Sequence, residues 1–328
     1  MNKTHKYHRI IFVFLVLFFV SCEKEITLDL PQSEDKTVIE GEIELGEYAC
    51  VIITKNSSYF DPVVVKPIIN YISQDILDIL PQSIIDTLSL IKVPDVIDTS
   101  AFVTVSNGNQ IDTLQLSFDY FKLPFIMYKG NKIKGEIGKT YNLKVVTGGK
   151  TYTSTTTIPP PVELDSVRFK FVKEPEDSIG FVWIYFHDPP TVGNFYRGYT
   201  KTLGKDNIFV HPYSSVSDDL FANDKQISYA LNRGWDPAQG DAYFDDENTF
   251  PWWSFIVGET VVVKLSTLDA THYDFWYSVE IQMATDGNPF ASPTSVRTNI
   301  EGGAIGIWGG YGTYLDTIKI DENVILEN

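Results

Sequence analysis

Residues 101–116 read AFVTVSNGNQIDTLQL. Two runs of β-branched and aliphatic residues, Ala101–Val105 and Ile111–Leu116, flank Asn107-Gly108-Asn109. Asn-Gly between such runs is the strongest short-range signal for a β-hairpin, because the favoured two-residue turn needs positive φ at its centre. Tyr141–Val146, Gly148-Gly149 and Thr151–Thr157 repeat the pattern. Upstream, Thr37–Glu44 and Tyr48–Thr54, joined by Leu45-Gly46-Glu47, read as a strand pair. Short strands, Gly-rich turns and little helix predict an immunoglobulin-like β-sandwich over 37–158.

An insertion at 62–94 breaks this rhythm. Ile68, Ile72, Ile76, Leu80, Ile84, Leu88 and Ile91 recur at nearly helical spacing. Pro81 cannot sit inside a helix, so two short helices are expected to meet there. Three readings of the Ile stripe stand: it packs on its own sandwich, it docks on a partner, or it lines a small-molecule groove.

Ile158-Pro159-Pro160-Pro161 prefers extended polyproline geometry, making 159–164 a stiff linker. A second β-rich domain is expected over 165–322, followed by a tail at 323–328. Its strands are read at Val167–Val172, Phe181–His187, Tyr196–Thr202, Lys225–Leu231 and Glu259–Leu265, with a last strand near Tyr314–Ile320. Asp269–Met283 fits a helix with Tyr273, Trp276, Glu280 and Met283 on one face. Gly303, Gly306, Gly309 and Gly312 are three apart. Without proline, or a following Lys, they read as close strand packing or a tight bend. The fold class expected is mainly β: a sandwich with a helical insertion, then a second β-rich domain with one helix.

The formal net charge is −17. A surface this acidic repels nucleic acid and anionic headgroups. The first nine residues carry Lys3, Lys6 and Arg9, and Ile10–Val20 is wholly apolar. A basic start before a short apolar core is a secretory signal, here 1–21. Eleven helical residues rise only about 16 Å, roughly half a bilayer core. The core ends on Ser21-Cys22, which resembles the lipobox of bacterial lipoproteins, with Phe19 where Leu is usual. That resemblance implies diacylglycerol and an N-acyl chain on Cys22, heading a lipidated linker over 22–36. Several acyl chains anchor stably where one does not. An ordinary signal peptide cut nearby, leaving a free thiol, is the other reading. Glu23, Lys24 and Glu25 resemble the surface-export signal of Bacteroidota lipoproteins; otherwise they begin a solvated linker. The only other cysteine is Cys50, in a strand-like run. With Cys22 acylated it has no partner within the chain and reads as a buried, inert thiol.

Catalytic signatures are sparse. There is no Gly-x-Ser-x-Gly, His-Glu-x-x-His, Walker loop or dinucleotide fingerprint. His187, His211 and His272 are too scattered for a zinc site, and adjacent His187-Asp188 would point to opposite faces of a strand. Asp241, Asp245, Asp246 and Glu247 gather oxygen ligands without EF-hand spacing. They read as a solvated acidic loop or a calcium site, the one cofactor the sequence raises besides the lipid. Trp235, Tyr243, Trp252 and Trp253 form either loop-base packing or a stacking platform for a glycan or peptide. Five Asp-Ser/Thr-aliphatic triplets, centred on Thr87, Thr113, Ser166, Ser178 and Thr317, resemble the Bacteroidota O-glycosylation sequon.

Three segments carry a wider resemblance. They are Val38-Ile39-Glu40-Gly41; Lys150-Thr151-Tyr152 leading to Thr157-Ile158-Pro159; and Gly287-Asn288-Pro289-Phe290 with Thr298-Asn299-Ile300-Glu301-Gly302-Gly303, Ile305-Gly306-Ile307 and Gly309-Gly310-Tyr311. Together they resemble the Bacteroidota lipoprotein family catalogued as domain of unknown function 4249, over nearly all of the mature chain. The resemblance supplies no catalytic residues. It implies an accessory role at an outer-membrane β-barrel, since such proteins are often encoded near TonB-dependent transporters. The expectation is a non-enzymatic, lipid-anchored outer-membrane protein facing the cell exterior, an accessory or binding subunit of such a barrel. A stand-alone glycan- or peptide-binding lipoprotein using residues 235–255 is the alternative. A hydrolase using the Asp241–Glu247 carboxylates is the third reading.

If the tether reading holds, Cys22→Ala leaves a folded protein released from membranes, and its intact mass lacks acyl chains. Membrane retention of that variant after carbonate washing would overturn it.

Overall fold

The Asn-Gly hairpin forms, and its neighbours build a sheet around it. The computed structural model describes residues 36–56, 64–72, 74–119, 125–172, 179–212, 214–234, 253–285 and 295–321. All lie in one compact unit, Asp35–Asn328. In chain order the first strands are β1 (Thr37–Glu44), β2 (Tyr48–Lys55), β3 (Val65–Pro67), β4 (Lys92–Pro94), β5 (Phe102–Ser106), β6 (Ile111–Phe118), β7 (Ile126–Lys134), β8 (Thr140–Thr147) and β9 (Lys150–Thr157). The second half adds β10 (Ser166–Phe171), β11 (Ile179–His187), β12 (Phe195–Thr202), β13 (Val216–Asp218), β14 (Gln226–Leu231), β15 (Phe255–Ile256), β16 (Thr260–Leu268) and β17 (Ile305–Lys319). The helices are α1 (Gln82–Leu90) and α2 (Ala270–Thr285). The protein is thus mainly β, as expected.

In the hairpin, Asn107 Oδ1 accepts from the N–H of Asn109 (3.1 Å) and Gln110 (2.9 Å). Gly108 supplies φ +87°. Strands run in the order β1-β2-β7-β6-β5-β8-β9. Alternate residues, including Ile39, Ile43, Val51, Ile53, Val103, Val105, Leu143 and Val145, turn inward to one core. Tyr141 is fully buried, and its hydroxyl donates to the Lys134 carbonyl (3.0 Å) and accepts from Glu136 N–H (2.8 Å). A tyrosine clamped to backbone a few residues upstream also marks immunoglobulin-like sandwiches.

Strand β7 was not legible. Tyr48 pairs with Lys134 but Cys50 with Lys129, so β7 carries extra residues in a bulge. Buried Asp112 stabilises it: Oδ2 accepts from the N–H groups of Asn131 (2.9 Å), Lys132 (2.8 Å) and Ile133 (3.1 Å).

The insertion pairs β3 with β4. Between them lie a 3₁₀ turn at Ile68–Tyr71, one helical turn at Gln74–Leu77, and α1 with Pro81 at its N-cap. Ile68 and Val93 pack against Ile126 of β7, with Leu88 and Ile91 alongside. No residue of α1 is buried.

Beyond Ile158, which lies in the first core, the prolines lead to Leu164, which lies in a second. That core gathers Phe169, Val182, Ile184, Phe186, Val261, Val263 and Ile318. Strands β10-β11-β14 form a small sheet, with β15 on β11, while β13-β12-β16-β17 continues the large one.

Strand β17 joins the halves. Its residues 305–311 pair in parallel with β1, and 312–319 pair antiparallel with β16. The glycine run is therefore the first half of this strand rather than a segment before it. Glycine is a poor strand former, but three neighbours require it here. A Cβ at Gly306 would stand 1.8 Å from the Ile39 carbonyl oxygen, one at Gly309 1.9 Å from His272 Cε1, and one at Gly312 2.2 Å from the Pro159 carbonyl oxygen.

Helix α2 is rotated from its sequence reading. His272, Phe275 and Ser278 are its buried residues, while Tyr277 and Met283 are exposed. The bare backbone at Gly309 admits the His272 ring, which pulls that face inward. Asp269 caps the helix, Oδ1 accepting from His272 N–H (2.8 Å).

Gly309→Ala is expected to cost about 3 kcal/mol, the upper end of overpacking. Urea unfolding of Gly309→Ala, His272→Ala and the pair should show the double variant regaining most of that loss relative to additivity.

Candidate functional site

The singled-out residues fall in different places. Cys22, Glu23, Lys24, Glu25, Trp235, Asp241, Tyr243, Asp245, Asp246, Glu247, Trp252 and Ser178 lie outside the described residues. Trp253 is half-buried and packs on Phe181, ring centroids 5.5 Å apart. Thr87 is exposed on α1, with its hydroxyl donating to the Ser83 carbonyl (2.9 Å). Thr317 is exposed on β17, and Thr113 and Ser166 are half-buried in strands. His187 is exposed, 3.4 Å from Asp224, while Asp188 is buried and accepts from the Tyr196 hydroxyl. Among the described residues no three His, Cys, Asp or Glu side chains group as a metal site. None of their helices is long and apolar enough to cross a membrane.

Among the described residues, a cluster of charged side chains lies on the second face of the large sheet. Glu40, Glu42 and Glu44 alternate along β1, opposite inward-facing Ile39 and Ile43. Strand β12 contributes Arg197 and Tyr199, β16 contributes Lys264, β17 contributes Tyr311, and α2 lays His272, Trp276 and Glu280 over them. Lys264 is level with Leu315, and Glu44 with Tyr311. Four residues of strand are about 13 Å, yet Lys264 Nζ and Glu44 Oε1 are 2.7 Å apart. The long Lys264 and Glu44 side chains reach across that offset to meet.

Arg197 is set rigidly. Its guanidinium lies 3.5 Å over the Trp276 ring and 5.0 Å from that of Tyr199. Its Nε–H donates to Ser215 Oγ (3.0 Å), and Ser215 donates to Glu280 Oε1 through Oγ–H (2.6 Å) and N–H (2.8 Å). Trp276 Nε1–H donates to the Tyr311 hydroxyl (3.2 Å). Burial lowers the Lys264 pKa, but Glu44, Tyr199 and Glu42 outweigh it, and the net shift is upward. Burial pushes Tyr311 well up.

Glu40 and His211 lie at the exposed margin of this cluster. Both reach water, yet surrounding protein still desolvates them. The Glu40 pKa rises by desolvation and then by Glu42 next along the strand. That of His211 falls to about 4 by desolvation and then by Arg197. The cluster is closely packed, with Arg197, Lys264, His272 and Tyr311 all buried.

Sequence reasoning missed this site. Its signal was alternation: Glu at every second position of Glu40–Glu44, Arg197-x-Tyr199-x-Lys201, and one Lys in the apolar run Val261–Leu265. A separate open hollow of about 450 Å³, on the outer face of β5, β8 and β9, is lined by Thr104, Ser106, Asn142, Lys144, Thr153 and Thr155 among others, without acid or aromatic.

The family model described as Domain of unknown function (DUF4249) matches residues 23–314. No curated protein matches the chain.

His272 offers a pH test. Desolvation, then Arg197, lowers its pKa from 6.5 to about 3. The unfolded chain therefore takes up a proton that the folded one refuses. This contribution is complete above about pH 6.5 and drains as pH falls toward 3. Between pH 7 and 5 it amounts to about 2 kcal/mol. Urea unfolding at both values should show His272→Gln losing about that much less than wild type.

Proposed function

Because the chain belongs to the family Domain of unknown function (DUF4249), which assigns no activity, we propose its role from its surfaces: a lipid-anchored, non-enzymatic accessory or binding subunit of an outer-membrane β-barrel, as in TonB-dependent transport, displayed at the cell exterior. The Cys22 lipobox and the Glu23-Lys24-Glu25 run support the tether and the outward face. The observation that carries the reading is the insertion. It is fixed to the sandwich through Ile68, Val93 and Ile126. Yet Ile79 is 79% exposed, Ile84 45% and Leu90 81%, with Val64 and Val65 exposed beside the β3 end. Fully burying one such side chain gains about 1.5–3 kcal/mol, so a docked partner would recover what the free protein forgoes. Of the Ile stripe, Ile68, Leu88 and Ile91 pack on the sandwich; it is Ile84, with Ile79 and Leu90 beside the stripe, that supports docking on a partner. For the stand-alone ligand platform, the described aromatics of 235–255 do not stand free: Trp253 packs on Phe181 and Phe255 is fully buried.

Affinity purification from detergent extracts should recover an outer-membrane barrel with the wild-type chain. The triple variant Ile79→Asp/Ile84→Asp/Leu90→Asp should recover at least about tenfold less, as each loses part of a hydrophobic anchor. Recovery of no barrel, or equal recovery by the variant, would sink the reading.

A further inference from the structure

The outer face of the small sheet carries a row of aromatic rings between cations and short side chains. Val182, Ile184 and Phe186 of β11 turn into the second core, so Phe181, Trp183 and Tyr185 face the other way, each half-buried. At alternate positions these rings are roughly 7 Å apart along the strand. On one flank β10 sets Arg168 level with Trp183 and Lys170 level with Phe181. Lys170 Nζ lies 4.5 Å from the Trp183 ring centre and 5.5 Å from that of Tyr185, and the Arg168 guanidinium lies 5.5 Å from that of Tyr185. On the other flank β14 sets Ala230 level with Trp183 and Ser228 level with Tyr185. Side chains this short leave that flank of the row low. Trp253 closes one end against Phe181. The charges are unanswered: among the described residues neither Arg168 nor Lys170 forms an ion pair, in a chain of net charge −17. The Trp183 indole N–H and the Tyr185 hydroxyl likewise make no hydrogen bond to a described residue.

We infer that this face binds an acidic polysaccharide, with sugar rings lying along Phe181, Trp183 and Tyr185 and carboxylates reaching Arg168 and Lys170. Charge complementarity selects the occupant: a local pair of cations on an acidic body calls for an anion. Aromatic faces offer the apolar side of a sugar ring a large, rigid contact. The guanidinium fork matches a carboxylate bidentately, and the ammonium meets a second as a point charge. A peptide strand is disfavoured, because the β11 backbone is already paired with β10 and β14 and offers no edge to extend. Single-stranded nucleic acid uses similar rings and cations, but it brings a charge at every step to an acidic molecule. Two cations beside three rings suit a chain in which only some sugars are acidic.

The site requires neither the tether nor a partner barrel, so it is tested on the purified full chain in detergent. Calorimetry is run at physiological ionic strength, where charge beyond about 8 Å is screened. The probes are a hyaluronan hexasaccharide, with a carboxylate on every second sugar, and neutral chitohexaose. Hexathymidylate and hexaglutamate stand for the other anionic chains. The hyaluronan hexasaccharide should bind at least about tenfold tighter than chitohexaose, the size of one charge-assisted contact. Arg168→Gln/Lys170→Gln should abolish that preference, and Trp183→Ala should weaken both saccharides by removing the central ring. Arg168→Gln alone, on an exposed side chain, should reduce the preference and serves if the double variant fails to fold. Equal binding of the two saccharides, tighter binding of hexathymidylate or hexaglutamate, no binding of the hyaluronan hexasaccharide at millimolar concentration, or a preference unchanged in the cation variants would overturn the site.

Discussion

One strand must accept a different partner along each half of its length, and this constraint shapes the molecule. Residues 305–311 of β17 lie beside β1, and residues 312–319 beside β16. The strand also carries the His272 ring on one glycine and the proline backbone on another. Side chains at these positions would hold the two halves apart. Their absence lets two hydrophobic cores be joined by a continuous ladder of hydrogen bonds, with helix α2 seated on Gly309 through His272. A small network reinforces the junction: Gly310 N–H donates to Thr156 Oγ1 (2.8 Å), and Thr156 donates to Asp269, the residue that caps α2.

The same strand sets the charged cluster. Strand order places β12 and β16 of the second half on one side of β17 and β1 of the first half on the other. Lys264 of the second half thereby meets Glu44 of the first, 2.7 Å apart. The cluster thus belongs to neither half alone, and strand order decides which charges meet.

Much of the fold was legible because local chemistry specified it. Asn107-Gly108-Asn109 dictated a hairpin, and Pro81 set the start of α1. Period-two apolar runs such as Phe181–His187 declared strands buried on alternate residues. What escaped was structure specified from a distance. Strand β7 is interrupted by Gly130 and Asn131 and survives because Asp112, on another strand, satisfies its bulged amides. The first half of β17 reads as close strand packing or a tight bend, because glycine is disfavoured in strands, and only the neighbours decide that it is strand. The site was legible in still smaller part. Alternation placed Glu40, Glu42 and Glu44 on one face, but which cations face them depends on strand order, which periodicity does not encode. The aromatic and acidic cluster at 235–252, the sequence's most conspicuous binding candidate, lies outside the described residues.

The pairing of β1 with β17 also has a kinetic consequence. Val38 finds its partner in Ile305, almost a full chain length away. Loop closure over that span must precede any reward from the contact, so the ladder is among the last to form. A chain synthesised N-terminus first presents β1 with one edge bare until nearly all residues have arrived. Bare edges recruit other strands. Until its last strand docks, each molecule is therefore a template for self-association, and its safe maturation depends on how quickly the C-terminus follows or on a chaperone shielding that edge.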